Sequence, residues 1–280
     1  MPATRYRLTR PLALTWRAEG VLQLGLDDAI VLHDVPAGLA QAIGMLAEPR
    51  SLNELQRLTP ALPPDWLGWL IGRLETAGLI TTQPAQQTEV AVLGAGRLAE
   101  AIAGSLEKSG VAQPTRVASV RPRARRRSPI PLPHWSELID GLHGLAVVAT
   151  DTQEPDRTLT DALARAGRPH LIVRLEADRA VTGPLVLPGR SPCVRCHDLL
   201  RCHYDPLWPR LVAQLCQDRP PPDPVLMAWA VSTAVVQIRC HLAGGEPDAT
   251  GRTLELGGTD HVLRVRDWQV HPGCGCVLPA

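Results

Sequence analysis

Residues 89–109 decide the fold, and they read Glu89-Val-Ala-Val-Leu93, then Gly94-Ala-Gly96-Arg-Leu-Ala99, then a helical stretch from Glu100 to Ser109. The first segment is a continuous apolar run, which is typical of a strand buried on both faces. The glycines after it permit the tight turn that joins a strand to a helix in mononucleotide-binding folds. The stretch therefore predicts the first strand, turn and helix of an α/β domain.

The sequence that follows alternates between strand and helix patterns. Apolar runs predict strands at Thr115–Val120, Gly144–Thr150 and His170–Val173. Helical patterns at Trp135–Ile139 and Asp156–Ala166 separate them. This alternation predicts a largely parallel sheet in a Rossmann-like domain.

The end of the chain is predicted to add a long helix and a hairpin. Asp223–Leu242 is apolar around most of a helical circumference, so this helix is expected to be buried in the domain or against a partner, an identical chain included. Thr253–Leu256 and His261–Val265 alternate as half-exposed strands. The hairpin would return the chain end to the middle of the domain.

Two departures from the nucleotide-binding pattern accompany the glycine turn. Ala99 replaces the third glycine, and the strand at Thr115–Val120 ends without the acidic residue that normally holds a ribose hydroxyl. The basic run Arg121–Arg127 is expected to be a solvated loop, with contact to an acidic partner or a phosphate as the alternative. Gly94 and Gly96 remain as vestigial cofactor contacts.

The first 83 residues carry a different pattern, three short strands followed by three helices. The apolar runs are Leu12–Trp16, Val21–Leu26 and Ala29–His33. The helices begin at Pro36, at the capping box Ser51-Leu-Asn-Glu54 and at Pro63, and the third stops at Gly78. This order predicts a winged helix-turn-helix-like module over residues 1–83, a polar linker over 84–88 and the α/β domain over 89–280.

A module of this kind could bind DNA or a peptide. Its third helix carries Arg73 as a cation against Asp65 and Glu75, and the chain has a net charge of +1, so no nucleic-acid partner is expected. The alternative is a peptide that adds as a strand to the open sheet edge beside the third helix. The edge residues would be Ile30, Val31, Leu32 and His33, and the pocket residues Trp66, Leu70, Arg73 and Leu74. For Leu70 and Leu74 a simple core role stays open.

Two cysteine pairs have the ligand count of a single metal site. They are Cys193-Val-Arg-Cys196 and Cys274-Gly-Cys276, each surrounded by turn-forming residues. Four thiolates suit a tetrahedral zinc ion, because zinc has no geometric preference against that arrangement. We expect one structural zinc site that ties the chain end to the middle of the domain.

The three other cysteines, Cys202, Cys216 and Cys240, are expected to be inert. The alternative is a nucleophile at Cys202 with His197 and His203, although closeness in sequence does not by itself activate a thiol.

The cellular location follows from segments that the sequence lacks. No run approaches the eighteen or so apolar residues of a membrane helix, and the first residues lack the apolar segment of a secretory signal. We therefore expect a cytoplasmic protein with no membrane partner.

These motifs together resemble a known family. The order of Ala149-Thr-Asp151-Thr152, the proline-glycine stretch Gly183–Gly189, the first cysteine pair, a long helix and the closing cysteines is similar to that of ubiquitin-activating-like, or ThiF-like, adenylating proteins over residues 89–280. His271-Pro-Gly-Cys-Gly-Cys276, joined to a small N-terminal module, resembles more narrowly the leader-peptide-binding partner proteins of YcaO cyclodehydratases. Those proteins take part in making azole-containing ribosomal peptides (RiPPs), and their N-terminal module is the RiPP recognition element.

The resemblance implies a scaffold rather than an adenylating enzyme. Asp151 aligns with the aspartate that approaches the magnesium and ATP phosphates in active members, but Thr152 replaces the asparagine after it. Arg121 or Arg123 would have to serve as the phosphate-binding cation. Adenylation requires several charges acting together on the phosphates. Because most of these charges lack counterparts, we expect a degenerate scaffold that does not use ATP. The family implies that this chain holds the leader of a precursor peptide, and that its YcaO partner uses ATP to activate the backbone amide when Cys, Ser or Thr is cyclised.

The fold class expected from sequence is α/β, a winged helix-turn-helix-like module followed by a Rossmann-like ThiF-type domain with a structural zinc site. A homodimer is expected as a possible assembly, because dimers are common among ThiF-like proteins. Two alternatives stay open, a catalytically active ATP-dependent adenylating enzyme acting on a peptide, and a winged-helix regulator.

Overall fold

The computed structural model describes residues 4–27, 29–83, 89–117, 139–221 and 223–276. The chain divides into two units, Met1–Gln87 and Thr88–Ala280. The predicted linker 84–88, the basic run Arg121–Arg127 and nearly all of the predicted helix Trp135–Ile139 lie outside the described residues. Within the described residues the fold is mixed α/β.

The first unit contains the predicted meander and three helices. Its elements are β1 (Arg5–Leu8), β2 (Leu14–Ala18), β3 (Val21–Leu24), β4 (Ile30–Leu32), α1 (Leu39–Met45), β5 (Arg50–Ser51), α2 (Leu52–Leu58), α3 (Pro64–Thr76) and β6 (Ile80–Gln83). Strands β2, β3 and β4 pair antiparallel in that order. The predicted capping box starts α2, since the Glu54 N–H donates to Ser51 Oγ (3.2 Å) and the Ser51 N–H donates to Glu54 Oε2 (2.7 Å).

A second small sheet in this unit was not expected from the sequence. Strand β1 lies between β5 and β6, and both pairings are antiparallel. Thr82 and Gln83, which look like linker residues, pair with Tyr6 and Arg5. These strands are short and mostly polar, and they join residues more than forty positions apart, so no local apolar period marks them.

The core of the first unit lies between the meander and the three helices. Its largest fully buried side chains are leucines and one isoleucine: Leu22, Leu24, Leu39, Ile43, Leu46, Leu55, Leu62, Leu70 and Leu74. Helix α3 contributes Leu67, Leu70, Ile71 and Leu74 to this core, and these residues recur at helical spacing in the sequence.

The second unit is built on a seven-stranded sheet. Its elements are β7 (Val90–Leu93), α4 (Arg97–Lys108), β8 (Thr115–Val117), β9 (Leu145–Thr150), α5 (Arg157–Arg165), β10 (His170–Leu175), β11 (Arg179–Val186), α6 (Val194–Tyr204), α7 (Trp208–Leu215), α8 (Pro224–Leu242), β12 (Arg252–Gly257) and β13 (Leu263–Asp267). The strand order is β13-β12-β11-β10-β9-β7-β8. Strands β8, β7, β9 and β10 are parallel, as predicted, and β11, β12 and β13 extend the sheet antiparallel.

Strand β11 includes the first part of the proline-glycine stretch Gly183–Gly189, a composition that is typical of a loop. Residues Arg179–Val186 pair with β10 on one side and with β12 on the other. The register with β10 shifts between Leu171 and Val173, opposite Gly183 and Pro184. Proline cannot donate a hydrogen bond to the ladder, and a register shift of this kind lets it remain inside a strand.

Helices cover both faces of the sheet. On one face α4 and α8 pack on the strands, and their buried residues include Ile102, Leu106, Ala230 and Ile238. On the other face α5 packs on the sheet through residues such as Leu159. The apolar strand β7 is accordingly buried along its whole length.

The apolar character of α8 was underestimated from the sequence. This helix is long and apolar enough to cross a membrane by length and composition, so the expectation that no such run exists is wrong. Its inward residues Leu226, Ala234 and Ile238 are at most 5% exposed and belong to the core of the second unit. A core helix passes the same test of length and composition, and the packing of α8 matches that case.

The glycine turn after β7 requires the absence of a side chain. A Cβ atom on Gly94 would lie 2.2 Å from the backbone oxygen of Ala149 in the neighbouring strand β9. We expect Gly94→Ala to lower the free energy of unfolding by about 3 kcal/mol or more, because backbone would have to move. Gly104→Ala is the control, since nothing lies within 4 Å of its added Cβ in α4. It should raise the free energy of unfolding by about 1 kcal/mol. Urea unfolding followed by circular dichroism measures both, and a Gly94→Ala protein of wild-type stability would contradict the packing.

Candidate functional site

The four paired cysteines come together in the second unit. Their ligand atoms all lie within 4.8 Å of one another. The Sγ atoms of Cys193 and Cys274 are 3.5 Å apart, those of Cys196 and Cys276 are 3.2 Å apart, and those of Cys193 and Cys196 are 3.9 Å apart. The predicted pairing of the middle of the chain with its end is therefore present.

Local structure directs the side chains of both cysteine pairs toward one another. Cys193 is the residue before the first turn of α6, and Cys196 lies within that turn. The closing pair follows β13 in a turn, where the Cys274 N–H donates to the backbone oxygen of His271 (2.9 Å) and the Gly273 N–H donates to the His271 Nδ1 (3.0 Å). Gly275 has a φ of 71°, which favours glycine in this turn.

The sulfur distances fit a four-coordinate metal ion. Bonds of about 2.3 Å in a tetrahedron give sulfur–sulfur distances of about 3.8 Å, and the observed distances lie around this value. Cys193 and Cys196 are buried, and Cys274 and Cys276 are half-buried. The described residues thus provide four cysteine side chains close enough together to hold one metal ion.

Burial opposes ionisation of two of these thiols. It raises the pKa of Cys193 well above its usual range and the pKa of Cys274 to about 11. For Cys196, burial acts in the same direction, but backbone hydrogen bonds at His271 and Cys193 outweigh it and leave the pKa lowered. Four thiolates at this spacing repel one another, so full ionisation requires a cation among them.

The vestigial cofactor residues also lie together. A Cβ atom on Gly96 would overlap the Asp151 carboxylate, so this carboxylate lies directly against the glycine turn at the start of α4. Asp151 forms no ion pair within the described residues. A nucleotide phosphate at this turn would meet a negative charge, and its binding would require an additional cation. The arginines considered for that role, Arg121 and Arg123, lie outside the described residues.

The candidate edge residues lie on an outer strand of the meander in the first unit. Ile30 and Val31 are half-buried, Leu32 is buried, and His33 just after the strand is exposed. In the part of the chain that the structure describes, β4 pairs with β3 alone. Its other edge therefore has unpaired backbone groups.

The candidate pocket residues on α3 fall into two groups. Leu70 and Leu74 are 0% and 1% exposed and belong to the core. The expectation that they line a pocket is corrected, because the surrounding core leaves them no surface for a peptide to contact. Trp66 is half-buried and Arg73 is exposed, so these two side chains remain accessible.

Another tryptophan on α3 was overlooked in the sequence. Trp69 is 41% exposed, and its ring packs edge-to-face on Trp66 with centroids 5.0 Å apart. The spacing of three residues on a helix could have indicated this pair, because such residues are neighbours on the helix surface.

The geometry around Cys202 does not favour the nucleophile alternative. His197 Nε2 accepts a hydrogen bond from Arg201 Nε (2.9 Å), so it is not available as a base for a thiol. Burial, reinforced by Arg201, lowers the pKa of His197 to about 3. His203 packs against Tyr204 at a ring distance of 5.7 Å.

The sequence matches no protein-family model and no curated protein significantly. Its fold is nevertheless similar to that of solved structures. A heterocyclase in complex with substrate and cofactor gives a TM-score of 0.59 at 14% identity, over 98% of this chain and 40% of that one. The heterocyclase TruD gives 0.58 at 16% identity, over 98% and 43%. E. coli MccB with AMPCPP and selenomethionine MccA gives 0.54 at 12% identity, over 97% and 99%.

These comparisons establish the fold. At 12–16% sequence identity the likeness is one of fold: the chain is folded like the two heterocyclases and like MccB. The chain spans about two fifths of the length of the two heterocyclases and nearly all of MccB.

We expect the purified chain to carry one metal ion per molecule, measured by elemental analysis. Cys274→Ser should remove most of it and lower the thermal stability of the second unit, because a ligand of a structural site contributes to folding. Cys240→Ser is the matched control, since Cys240 lies on α8 outside the cluster. The thiols must lose protons to bind, so the apparent metal affinity should rise with pH. A fully folded chain without metal would contradict this assignment.

Proposed function

We propose that this chain is a leader-peptide-binding scaffold, the non-catalytic subunit that recruits a ribosomal precursor peptide and presents it to a YcaO cyclodehydratase for azoline and azole formation. The observation that carries the proposal is the unpaired edge of β4 in the first unit. A peptide that adds there as a fourth strand would gain main-chain hydrogen bonds.

The surroundings of β4 suit a peptide with apolar side chains. Ile30 and Trp66 are both half-buried and pack against the same core, to which Leu32 and Leu70 belong. The core thus fixes the strand and the helix, while Trp66, Trp69 and Arg73 keep exposed surface. In this proposal the first unit is a winged-helix RiPP recognition element over residues 1–83, with Ile30, Val31 and His33 as direct contacts.

The structural neighbours support a peptide partner. One heterocyclase structure contains a substrate, and one MccB structure contains MccA. In line with the resemblance to the partner proteins of YcaO cyclodehydratases, we propose that the cyclising activity resides in a YcaO partner.

The region around Asp151 supports a scaffold rather than an adenylating enzyme. Thr152, which stands where active relatives have asparagine, is buried, and its hydroxyl donates to the Glu154 backbone oxygen (2.7 Å). It also lies 2.6 Å from the Thr150 hydroxyl. Its hydrogen-bonding groups are therefore used within the protein, and the Asp151 carboxylate lies against Gly96.

For the metal centre we propose structural zinc. Four thiolates form a closed site without an open position, which is typical of structural zinc. We place the protein in the cytoplasm, where thiols stay reduced.

We also propose that the chain forms a homodimer. The exposed side chains of Val225 and Val236 on α8 provide apolar surface for this contact.

A proline at the free edge should weaken peptide binding. We expect Val31→Pro to raise the Kd for the leader segment of the precursor peptide by about tenfold or more, because the ring obstructs an incoming strand. Fluorescence anisotropy with the full-length chain measures it. Arg17→Pro is the control, because Arg17 lies in β2, the outer strand on the opposite side of the meander. The pairing of β2 with β3 already shifts register at this residue. With both variants folded by circular dichroism, unchanged affinity in Val31→Pro would reject strand addition at β4.

The adenylating alternative makes a separate prediction. We expect the purified chain with precursor peptide to exchange labelled pyrophosphate into ATP no faster than Asp151→Ala, because the charges needed to hold the phosphates are incomplete. Exchange by the wild type that disappears in Asp151→Ala would instead establish adenylation.

A further inference from the structure

A small cavity of about 180 Å³ lies in the second unit, beside the helix that follows Cys193. Residues of the strands β10, β12 and β13 and of α6 contribute to its wall. Its charged lining consists of four arginines and two glutamates: Arg174, Arg179, Arg201, Arg266, Glu176 and Glu255. The wall therefore carries two more positive than negative charges.

Both glutamates are already neutralised by three of these arginines. Glu255 is 3.2 Å from Arg266 Nε and 3.5 Å from Arg179 Nη1. Glu176 is 3.0 Å from Arg174 Nη2 and 3.2 Å from Arg179 Nε. These three arginines share two glutamates and so carry one of the two excess positive charges, and the other is that of Arg201, which pairs with neither glutamate.

Arg201 forms no ion pair within the described part of the chain. Its Nε donates to His197 Nε2 (2.9 Å), and its guanidinium lies 4.4 Å from the centroid of the Trp208 ring. These two contacts fix the orientation of the group and leave its terminal nitrogens without a protein acceptor. A guanidinium held in this way is a ready donor to a planar anion.

Two buried N–H groups add to this unused donor capacity. Arg174 Nε and Trp268 Nε1 are buried and have no hydrogen-bond partner among the residues that the structure describes, and the Arg174 side chain is only 5% exposed. The Trp268 ring stacks on His197 at a centroid distance of 3.9 Å. A buried N–H group without an acceptor is unfavourable and uncommon. A ligand in the cavity that accepts hydrogen bonds from these two groups would remove the free-energy cost of leaving them unpaired.

The electrostatic environment of Arg201 also favours an anion. Burial lowers the pKa of Arg201, and the like charges of Arg174 and Arg266 lower it further, while Glu154 acts in the opposite direction. A negative charge beside Arg201 would stabilise its protonated form.

We propose that this cavity binds the carboxylate of a small organic acid or of a peptide end, with Arg201 as the main ligand-binding residue and Trp268 as a second donor. The volume is below that of a pocket for a drug-sized molecule, so it suits a small group. Glu176 and Glu255 in the wall favour a monoanion over a phosphate dianion. The site is independent of the proposed peptide edge in the first unit.

The test uses the full-length, metal-loaded chain and the indole N–H signal of Trp268 in nitrogen-proton correlation spectra, assigned with Trp268→Phe. We expect acetate, titrated against chloride at constant ionic strength, to shift this signal saturably with a Kd on the order of 1 mM. N-acetylglycylglycine should also bind, and its C-terminal amide should not. If the dipeptide binds more tightly than acetate, the ligand is the end of a peptide chain. If the two bind with equal affinity, the ligand is a small organic acid.

Arg201→Gln should weaken acetate binding by about tenfold, because it removes the charged donor. Arg165→Gln is the matched control, since this arginine is exposed on α5. Arg201→Lys keeps the charge without the planar fork, so it should bind with intermediate affinity and serves if Arg201→Gln does not fold. Wild-type affinity in a folded Arg201 variant would overturn the proposal, and so would shifts by chloride alone or tighter binding of inorganic phosphate than of acetate.

Discussion

Four sulfur atoms that lie close together connect the end of the chain to the middle of the second unit. Ionised thiolates at these distances repel one another, and burial disfavours ionisation at Cys193 and Cys274, so the cluster is stable only around a cation or with protons retained. A metal ion bound by all four thiolates would cross-link α6 to the segment that follows β13. Trp268 lies between β13 and the closing cysteines and stacks on His197, the residue after Cys196. The metal centre and the arginine-lined cavity are therefore held by the same two segments of chain.

The two units divide their physical roles. The first unit places its leucines in a core and leaves a strand edge with the tryptophans of α3 accessible. The second unit keeps the strand, turn and helix of a nucleotide fold, but the Asp151 carboxylate lies against Gly96, and the Thr152 hydroxyl is hydrogen-bonded within the protein. A fold of this type can be kept by a protein that binds no nucleotide, because the stability of the fold comes from packing around the sheet rather than from the ligand.

Features with a local signal could be predicted from the sequence. The glycine turn, the parallel strands, the α3 face and the cysteine pairs each depend on residue types at short spacing. The sheet of β1, β5 and β6 could not be predicted, because distant and mostly polar segments form it. Strand β11 was missed because Gly183 and Pro184 usually mark a loop, and only a register shift in the neighbouring pairing accommodates them. The donors of Arg174, Arg201 and Trp268 meet only through the tertiary fold.

The exposed character of β13 has a consequence for the behaviour of the protein in concentrated solution. Leu263 and Val265 are 66% and 63% exposed on the outermost strand of the sheet, and within the described residues this strand pairs with β12 alone. Arg264 and Arg266 alternate with them, and charges on an edge oppose pairing between copies. The segment that the cysteines retain begins directly after this strand. In the metal-bound form proposed above, removal of the metal would release this segment beside an apolar edge, so oxidation or chelation should cause self-association before the core itself unfolds.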